Sequence, residues 1–345
     1  MEMDERKIKI LQAIINDYIN TAEPVGSRTI AKKYNLGISS ATIRNEMADL
    51  EEMGYLEHLH TSSGRKPSNK GYRLYVDKLM KLTSLSLEEE ILIKNQILNA
   101  ALYEVDKIIK QATQLLSELT KLTCIVKTPS AKKSYLKSIQ LVKVDNNAVL
   151  AVIITDTGLI KNTIIRIKKP IDNGILIKLS NILNNKLKNL TIEEINLSVI
   201  NSIKIDLANH EEIFDAIIPA LYESLNEAEN SEVYLEGTTN IFNYPEYNNI
   251  EKAREFLHLI DNKELIQSLL NTNSSISISI GEENYVESAK DCAVISGVYR
   301  LGDRPLGVIG VIGPTRIPYA KVVTVLTKIV KEVNDALSKK YLDNK

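Results

Sequence analysis

Residues Gly26–Asp77 read GSRTIAKKYNLGISSATIRNEMADLEEMGYLEHLHTSSGRKPSNKGYRLYVD, and this stretch decides the fold of the N-terminal part of the chain. Ser27 can cap a short helix, and Gly37 can adopt the left-handed conformation that ends it. Ser39 or Ser40 can then cap the next helix, so two helices are joined by a tight turn. A short strand pair with a basic tip follows. This order is typical of a winged helix-turn-helix, whose second motif helix enters the major groove of duplex DNA.

Apolar periodicity predicts the helices of this domain. Apolar side chains recur at three- and four-residue steps over Glu5–Asn20, which predicts a first helix. The second helix is expected to bury Ile30, Ala31 and Tyr34. The third helix ends at Gly54 and has a core stripe formed by Ile43, Met47 and Leu50.

The far side of the third helix shows Thr42 and Asn45 in its first turns, with Arg44 on the flank, and these side chains can read bases. Asparagine can pair with adenine, arginine can reach a guanine or a phosphate, and a threonine methyl can contact thymine. Serines at a helix start can bind phosphate through hydroxyl and free backbone N–H groups. We therefore predict DNA contacts from Ser39, Ser40, Thr42, Arg44 and Asn45. An ordinary amphipathic helix with a solvated polar face is the alternative.

A basic hairpin is predicted after the third helix. Tyr55–His60 alternates as a strand, residues 61–67 have turn chemistry, and no acid occurs between Thr61 and Tyr75. Such a tip suits phosphate or minor-groove contact, although a basic surface loop would have the same composition. The acids Glu51 and Glu57, with Asp49 and Glu52, are expected to point away from the groove. The predicted DNA contacts here are Ser63, Gly64, Arg65, Lys66, Lys70 and Arg73.

The composition limits the function classes. The chain has 345 residues, 44% hydrophobic and 25% charged, which indicates a globular protein of two or three domains. Its formal net charge is −1, so affinity for nucleic acid must come from local basic patches. Two lone cysteines, Cys124 and Cys292, exclude a disulfide framework and a cysteine-based zinc site. Without a signal peptide or a long apolar run, the chain is expected to be cytoplasmic and not membrane-bound.

The rest of the chain reads as a mixture of helices and strands. Helices are predicted at Tyr72–Leu82, from a capping box at Ser86–Glu89 to about Lys121, and at Tyr319–Ala336. The predicted strands are Leu136–Val144, Ala148–Thr155, Leu159–Ile167, Ser275–Ile280, Cys292–Tyr299 and Leu306–Ile312. The first three of these form an antiparallel meander with Asp145–Asn147 and Asp156–Gly158 as hairpin turns.

The predicted fold class is therefore α+β and multidomain. Residues 1–82 form a winged-helix domain. Residues 83–170 and 272–345 form one α+β domain, split by a mostly helical inserted subdomain at 171–271. Insertions of this size are tolerated at exposed loops.

Five segments resemble the bacterial heat-inducible transcription repressor family HrcA. They are SGRKPS at 63–68, GYRLYVD at 71–77, SATIRNEMADL at 40–50, IGEEN at 280–284 and GVIGPTR at 310–316. The resemblance extends over essentially the whole chain. It implies a winged-helix domain, a GAF-like domain and an inserted dimerisation subdomain. Ile317 and Pro318 depart from the methionine-containing stretch expected after Arg316.

The resemblance also implies a function. A homodimer would bind CIRCE, an inverted-repeat operator, and would repress chaperone operons such as groE and dnaK. The GroE chaperonin would help the repressor reach its active fold, so heat would lower repression. A repressor whose GAF-like domain senses a small ligand is the alternative.

No residue pattern predicts an enzyme, a cofactor or a metal site. Ser134–Lys137 has the spacing of a Ser-x-x-Lys nucleophile motif but lacks partner motifs. His58 and His60 share one strand face with Glu57 nearby, and surface positions on the wing explain them without a metal.

Overall fold

We describe the protein from a computed structural model. The structure describes residues 3–58, 64–101, 105–128, 134–156, 160–191, 194–206, 215, 217–219, 233–270 and 274–341.

Three helices begin the chain as the periodicity predicts. They are α1 (Glu5–Thr21), α2 (Ser27–Lys33) and α3 (Ser40–Glu52). The Ser39 hydroxyl caps α3 by accepting from the N–H of Thr42 at 3.1 Å. The predicted cap at Ser27 is wrong: Ser27 is the first helical residue, and Gly26 before it makes no side-chain cap. The α3 stripe of Ile43, Met47 and Leu50 is buried as predicted.

A two-stranded wing follows α3. Strand β1 (Leu56–His58) pairs antiparallel with β2 (Arg65–Pro67). The loop before α2 joins the base of the wing, because Val25 and Arg65 exchange both backbone hydrogen bonds, at 2.8 and 3.0 Å. Residues 59–63, which hold the predicted hairpin tip with Ser63 and His60, lie outside the described residues.

The predicted helix after the wing begins three residues earlier than expected. Ser68 caps α4 (Asn69–Leu74), which continues as a π-helical turn over Tyr75–Leu79. The capping box at Ser86 and Glu89 is confirmed, and it opens α5 (Leu87–Ala100). The predicted long helical region is two helices, the second being α6 (Val105–Thr120).

A three-stranded meander leaves the main body of the protein. After strand β3 (Thr123–Lys127) come β4 (Leu136–Lys143), β5 (Ala148–Thr155) and β6 (Ile160–Arg166), paired in the order β4-β5-β6. Helices α7 (Asn173–Leu187) and α8 (Leu197–Asp206) follow, and α7 packs on β4. We call residues 134–219 the meander module. It has its own cluster of buried apolar side chains.

A second sheet, with five strands, forms the centre of the chain. Its remaining strands are β7 (Val233–Glu236), β8 (Ile276–Ile280), β9 (Cys292–Leu301) and β10 (Arg304–Pro314). The order is β7-β3-β10-β9-β8, and every neighbouring pair is antiparallel. The strands predicted near the C-terminus are confirmed. Strand β3 was not predicted, because its five residues directly follow a helix and carry no alternation of polar and apolar side chains.

The predicted grouping of strands is wrong. The meander was expected to share a domain with the C-terminal strands, but it forms a sheet of its own. The segment that leaves the central sheet therefore begins with the meander instead of at Ile171. It returns at β7, where Val233 is the register partner of Lys127. The meander module combines a sheet with helices, so it is not mostly helical.

Helices cover both faces of the central sheet. The last of them are α9 (Ile250–Asp261), α10 (Lys263–Leu269) and α11 (Tyr319–Tyr341), the last of which is five residues longer than predicted. One face buries Cys124, Ile295 and Val311 against α6 and α11, and this core is continuous with that of the winged helix. The other face buries Val294, Val308 and Ile312 against α9 and α10. Helices α9 and α10, predicted in the insert, thus belong to the central domain.

Candidate nucleic-acid interface

The exposed face of α3 presents the predicted base-reading side chains. Arg44 and Asn45 are exposed, whereas Thr42 and Ser40 are half-buried. Ser39 is exposed at the helix start, where its hydroxyl already caps the backbone. Because the buried stripe lies on the opposite side, the fold holds Arg44 and Asn45 outward on a rigid helix. An arginine and an asparagine in this position have the chemistry for guanine and adenine edges.

Acidic side chains of α3 are neutralised on the side facing α1. Glu46 accepts ion pairs from Lys7 at 2.8 Å and Arg6 at 3.4 Å, and Asp49 lies 3.1 Å from the Lys7 ammonium. The hydrogen bonds to Glu46 and Asp49 raise the pKa of Lys7 above its ordinary value, so the lysine stays charged. These pairs offset the negative charge of the two carboxylates.

A groove beside α3 collects cations from three elements. It has a volume of about 550 Å³, and it brings Arg44 together with Arg28 of α2 and Arg65 of the wing. Its other lining residues are Gly26, Ser27, Thr29, Met47 and His58. Arg28 was not among the contacts predicted from the sequence, although a cation in the first turn of the first motif helix, α2, could have indicated it.

The wing cations Arg65 and Lys66 are paired with acids of the same domain. Arg65 Nε lies 2.6 Å from Glu51 Oε2, and Lys66 Nζ lies 2.9 Å from Glu57 Oε2. Glu51 and Glu57 were expected to point away from the groove, and the sequence did not indicate that each would pair with a cation of the wing. Opposite charges meet there because Glu57 and Lys66 are cross-strand partners in the hairpin register.

Three other predicted contact residues have contacts inside the protein. Gly64 is buried, and a Cβ there would lie 2.6 Å from the carbonyl of Pro24. Lys70 donates to the Met53 carbonyl at 2.8 Å and lies over the Tyr55 ring. Arg73 pairs with Glu283 of the central domain. Lys70 and Arg73 thus each have a backbone or carboxylate partner in the protein, and Gly64 packs closely against Pro24.

The described residues offer little for other chemistry. No cluster of three or more His, Cys, Asp or Glu side chains that could hold a metal ion occurs among them. Cys124 and Cys292 are buried, and burial raises the pKa of the Cys292 thiol to about 12. Within the same ranges, none of the helices has the length and apolar character needed to cross a bilayer.

Two family models together match most of the chain. Residues 2–80 match the model described as winged helix-turn-helix transcription repressor, HrcA DNA-binding. Residues 106–323 match the model described as HrcA protein C terminal domain. The chain belongs to the HrcA family. Its N-terminal domain is thus a winged-helix DNA-binding domain of a family of transcription repressors, which confirms the resemblance drawn from the five sequence segments.

HrcA relatives match over nearly their full length. The Clostridium acetobutylicum protein named heat-inducible transcription repressor HrcA is 62% identical over 339 residues, covering 98% of this chain and 99% of the relative. The protein of the same name from Ruminiclostridium cellulolyticum is 46% identical and is covered completely, as is this chain. The chain also matches a crystal structure described as that of a hypothetical protein, with 24% sequence identity and a TM-score of 0.69. The match covers 98% of this chain and 100% of the other. It supports the mixed α and β fold.

Proposed function

We propose that this chain is a heat-inducible repressor that binds an inverted-repeat operator as a homodimer. The operator would be the CIRCE element of chaperone operons such as groE and dnaK, and the protein would act in the cytoplasm without enzymatic activity. The observation that carries the proposal is the exposed pair Arg44 and Asn45 on a capped helix of an HrcA-family winged helix. Membership of a repressor family alone would not say which side chains read the operator.

The groove beside α3 supports different roles for the proposed DNA-contact residues. Arg44 and Asn45 would read base edges, and Thr42 would contact a thymine methyl. Ser39, Ser40 and Arg28 would hold phosphates beside them. Arg65 and Lys66 would add less, because Glu51 and Glu57 already offset their charge.

Homodimer formation is supported by an exposed apolar row on the meander module. Val142, Leu150 and Ile164 are register partners across β4, β5 and β6. Val142 is 51% and Ile164 is 63% exposed. The other face of this sheet packs against α7, so among the described residues the row lies on the more exposed face. Such a self-complementary patch suits an isologous two-fold contact, which an inverted repeat requires.

Dependence on the GroE chaperonin would follow from the topology of the central sheet. Strands β3 and β7 must pair across the whole meander module, and such non-local closure is slow. Before closure, the edge of β10 that pairs with β3 would be open and the apolar faces of β9 and β10 would be exposed, which would attract a chaperonin.

A gel shift with three duplexes tests the proposed function. One carries the intact inverted repeat, one a single half-site and one a scrambled repeat of the same composition. We expect tight binding to the first, far weaker binding to the second, and only salt-sensitive background binding to the third. Equal binding to all three would contradict an operator-specific repressor.

A second candidate function, control by a small ligand, is favoured by one observation. A cavity of about 140 Å³ lies between the winged helix and the central domain. Tyr72, Tyr247 and Arg316 are among the residues that line it. The Tyr72 hydroxyl is buried without a hydrogen-bond partner in the described part of the chain. A small polar molecule could satisfy this hydroxyl, as could an ordered water.

Thermal unfolding separates these two occupants. A panel of small polar metabolites would be added to wild type and to Tyr72→Phe, which removes only the hydroxyl. A midpoint raised by one compound in wild type but not in the variant would support the ligand-sensing function. A flat response over the panel would leave water as the occupant.

A further inference from the structure

The chain connection between the winged helix and the central domain does not fix their orientation. Residues 80–85, between the π-helical turn and the cap of α5, form no regular structure, and residues 81–84 are exposed. The orientation of the DNA-reading face is therefore set by non-covalent contacts between the two domains.

One such contact is made by Arg73 of α4, which reaches into the central domain. Its Nε donates to Glu283 Oε1 at 2.7 Å, and a second guanidinium nitrogen pairs with the other carboxylate oxygen. That nitrogen also donates to the carbonyl of Ile278 at 2.7 Å. Glu283 is held in place in turn, because it accepts from the N–H of Ile280 at 2.9 Å. A two-pronged pair of this kind restrains direction as well as distance.

A second arginine makes the reverse connection. Arg316, which follows β10 in the central domain, donates to the carbonyl of Ile19 in the last turn of α1 at 2.6 Å. Its Nε lies 2.6 Å from Glu246 Oε1, and its side chain is only 9% exposed. A cation at this carbonyl suits the negative end of the helix dipole.

Two buried tyrosines and a close backbone approach add to the contact between the domains. The Tyr72 and Tyr319 rings are tilted by 45° with centroids 5.7 Å apart, and both side chains are buried. Asn69 lies against Gly281, whose φ of +58° and missing Cβ permit the close approach. We call these contacts, with Arg73–Glu283 and Arg316–Ile19, the domain joint. It gathers residues from three of the segments by which the family was recognised: GYRLYVD, IGEEN and GVIGPTR.

We propose that Arg73 and Arg316 are positioning residues for operator binding. They hold each winged helix at one orientation on its central domain, so that the two readers of a dimer meet two half-sites at once. This inference rests on the proposed dimer and its inverted-repeat operator. With both readers held rigidly, binding of the second half-site is intramolecular, and its effective concentration depends on that rigidity. Loosening the joint therefore lowers the gain from the second half-site and leaves each single reader unchanged.

The test uses the full chain and compares its affinity for an inverted-repeat duplex with that for a single half-site. Arg73→Lys keeps the positive charge but loses the two-pronged geometry. Glu283→Lys removes the partner and makes the protein more positive. Glu287→Lys is the matched control, because Glu287 lies nearby, its side chain is 86% exposed, and it pairs with Lys290 instead of the winged helix.

We expect Arg73→Lys and Glu283→Lys each to lower the ratio of full-site to half-site affinity by about tenfold. Half-site affinity should not fall, and the dependence of Arg73→Lys binding on salt should match wild type. Glu287→Lys should leave the ratio unchanged. Cooperative thermal unfolding of each variant would show that it folds. If Glu283→Lys does not fold, the milder Glu283→Gln, which keeps a hydrogen-bond acceptor for the N–H of Ile280, takes its place.

A direct contact between Arg73 and a DNA phosphate would give a different set of results. If Arg73 contacts phosphate, Arg73→Gln lowers half-site affinity. It also reduces the slope of log affinity against log salt concentration by about the amount expected for one phosphate contact, and Glu283→Lys does not weaken binding. That outcome overturns the positioning role. Wild type that binds the intact repeat no better than a half-site would instead contradict the proposed function, so the two failures are distinguishable.

Discussion

At the scale of single residues, the same positive charge has three uses in the winged helix. Arg44 is exposed on α3. Arg65 is paired within the domain, and Arg73 connects the domain to its neighbour. Residue type alone does not separate these uses, because the partner of each arginine depends on the fold.

Substitution of the α3 side chains should change specificity. We expect Arg44→Ala or Asn45→Ala to cost about 1–3 kcal/mol on operator DNA and little on random DNA, because base contacts carry the sequence preference. Arg28→Ala, which removes a groove cation proposed to hold a phosphate, should weaken binding to both DNAs alike. Affinities measured by fluorescence anisotropy on both DNAs would test this. An equal loss on both DNAs for Arg44 and Asn45 would reduce them to phosphate contacts.

The Glu283 carboxylate should make the stability of the domain joint depend on pH. Burial raises its pKa, but the hydrogen bonds from Arg73 and from the N–H of Ile280 outweigh burial, and the net pKa lies below its ordinary 4.5. A group with a lowered folded pKa contributes stability above its unfolded pKa and loses it as pH falls through the folded value. The contribution is therefore complete at neutral pH.

Thermal unfolding at several pH values would measure this contribution. We expect wild type to be more stable than Glu283→Gln at pH 7, and the difference to shrink below about pH 4.5 as the carboxylate is protonated. A difference that stays constant down to pH 3 would show that the charge of Glu283 does not stabilise the joint.

At the scale of elements, the meander module shows how one sheet can have two different faces. Alternate residues of β5 are buried under α7, and the residues between them are half-buried. The sequence of β5 is apolar on both faces, which is unusual for an antiparallel sheet with a solvated side. The row Val142, Leu150 and Ile164 explains this if the outer face is covered by a second copy of the chain.

A lysine in that row should break the dimer. Ile164→Lys places a charge in the proposed two-fold contact, where it would meet its own symmetry mate, and we expect a monomer by light scattering. Ile177→Lys is the matched control, because Ile177 is equally exposed, at 62%, but lies on α7. A dimer that persists in Ile164→Lys would move the interface elsewhere. The monomer should bind a full operator hardly better than a half-site.

At the scale of the whole molecule, the central sheet is completed by a pairing between distant parts of the chain. Lys127 and Val233 are register partners on either side of the meander module. Strands β9 and β10 are buried on both faces, so helices must pack on both faces of the sheet before these strands are shielded from solvent. Such a sheet folds slowly and exposes apolar surface on the way. In the function proposed above, the amount of correctly folded dimer would then report temperature without a ligand.

Moderate heating should therefore remove operator binding in a way that a chaperonin reverses. We expect heated protein to regain binding on addition of GroE chaperonin and ATP, with unchanged affinity per active dimer. A stoichiometric titration with operator DNA would give the concentration of binding-competent dimers separately from their affinity. Full recovery on cooling at the same rate with and without chaperonin would contradict this mechanism.

Much of the architecture could be predicted from the sequence because it depends on local patterns. The spacing of Ile43, Met47 and Leu50 predicts α3 and its outward face, and the Ser86 capping box predicts the start of α5. The meander and the C-terminal strands follow from runs of β-branched residues between turn residues. These signals involve residues within a few positions of each other, so one sequence suffices to read them.

Only the tertiary structure decided which strands share a sheet and which of the described cations form ion pairs. The pairing of β3 with β7 and β10 is set by burial on both faces of the central sheet, which no segment encodes alone. The partner of Arg73 lies 210 positions away, so its local sequence indicated a basic surface residue instead of a domain contact. An ion pair depends on where two backbones meet, and that meeting is a property of the whole fold.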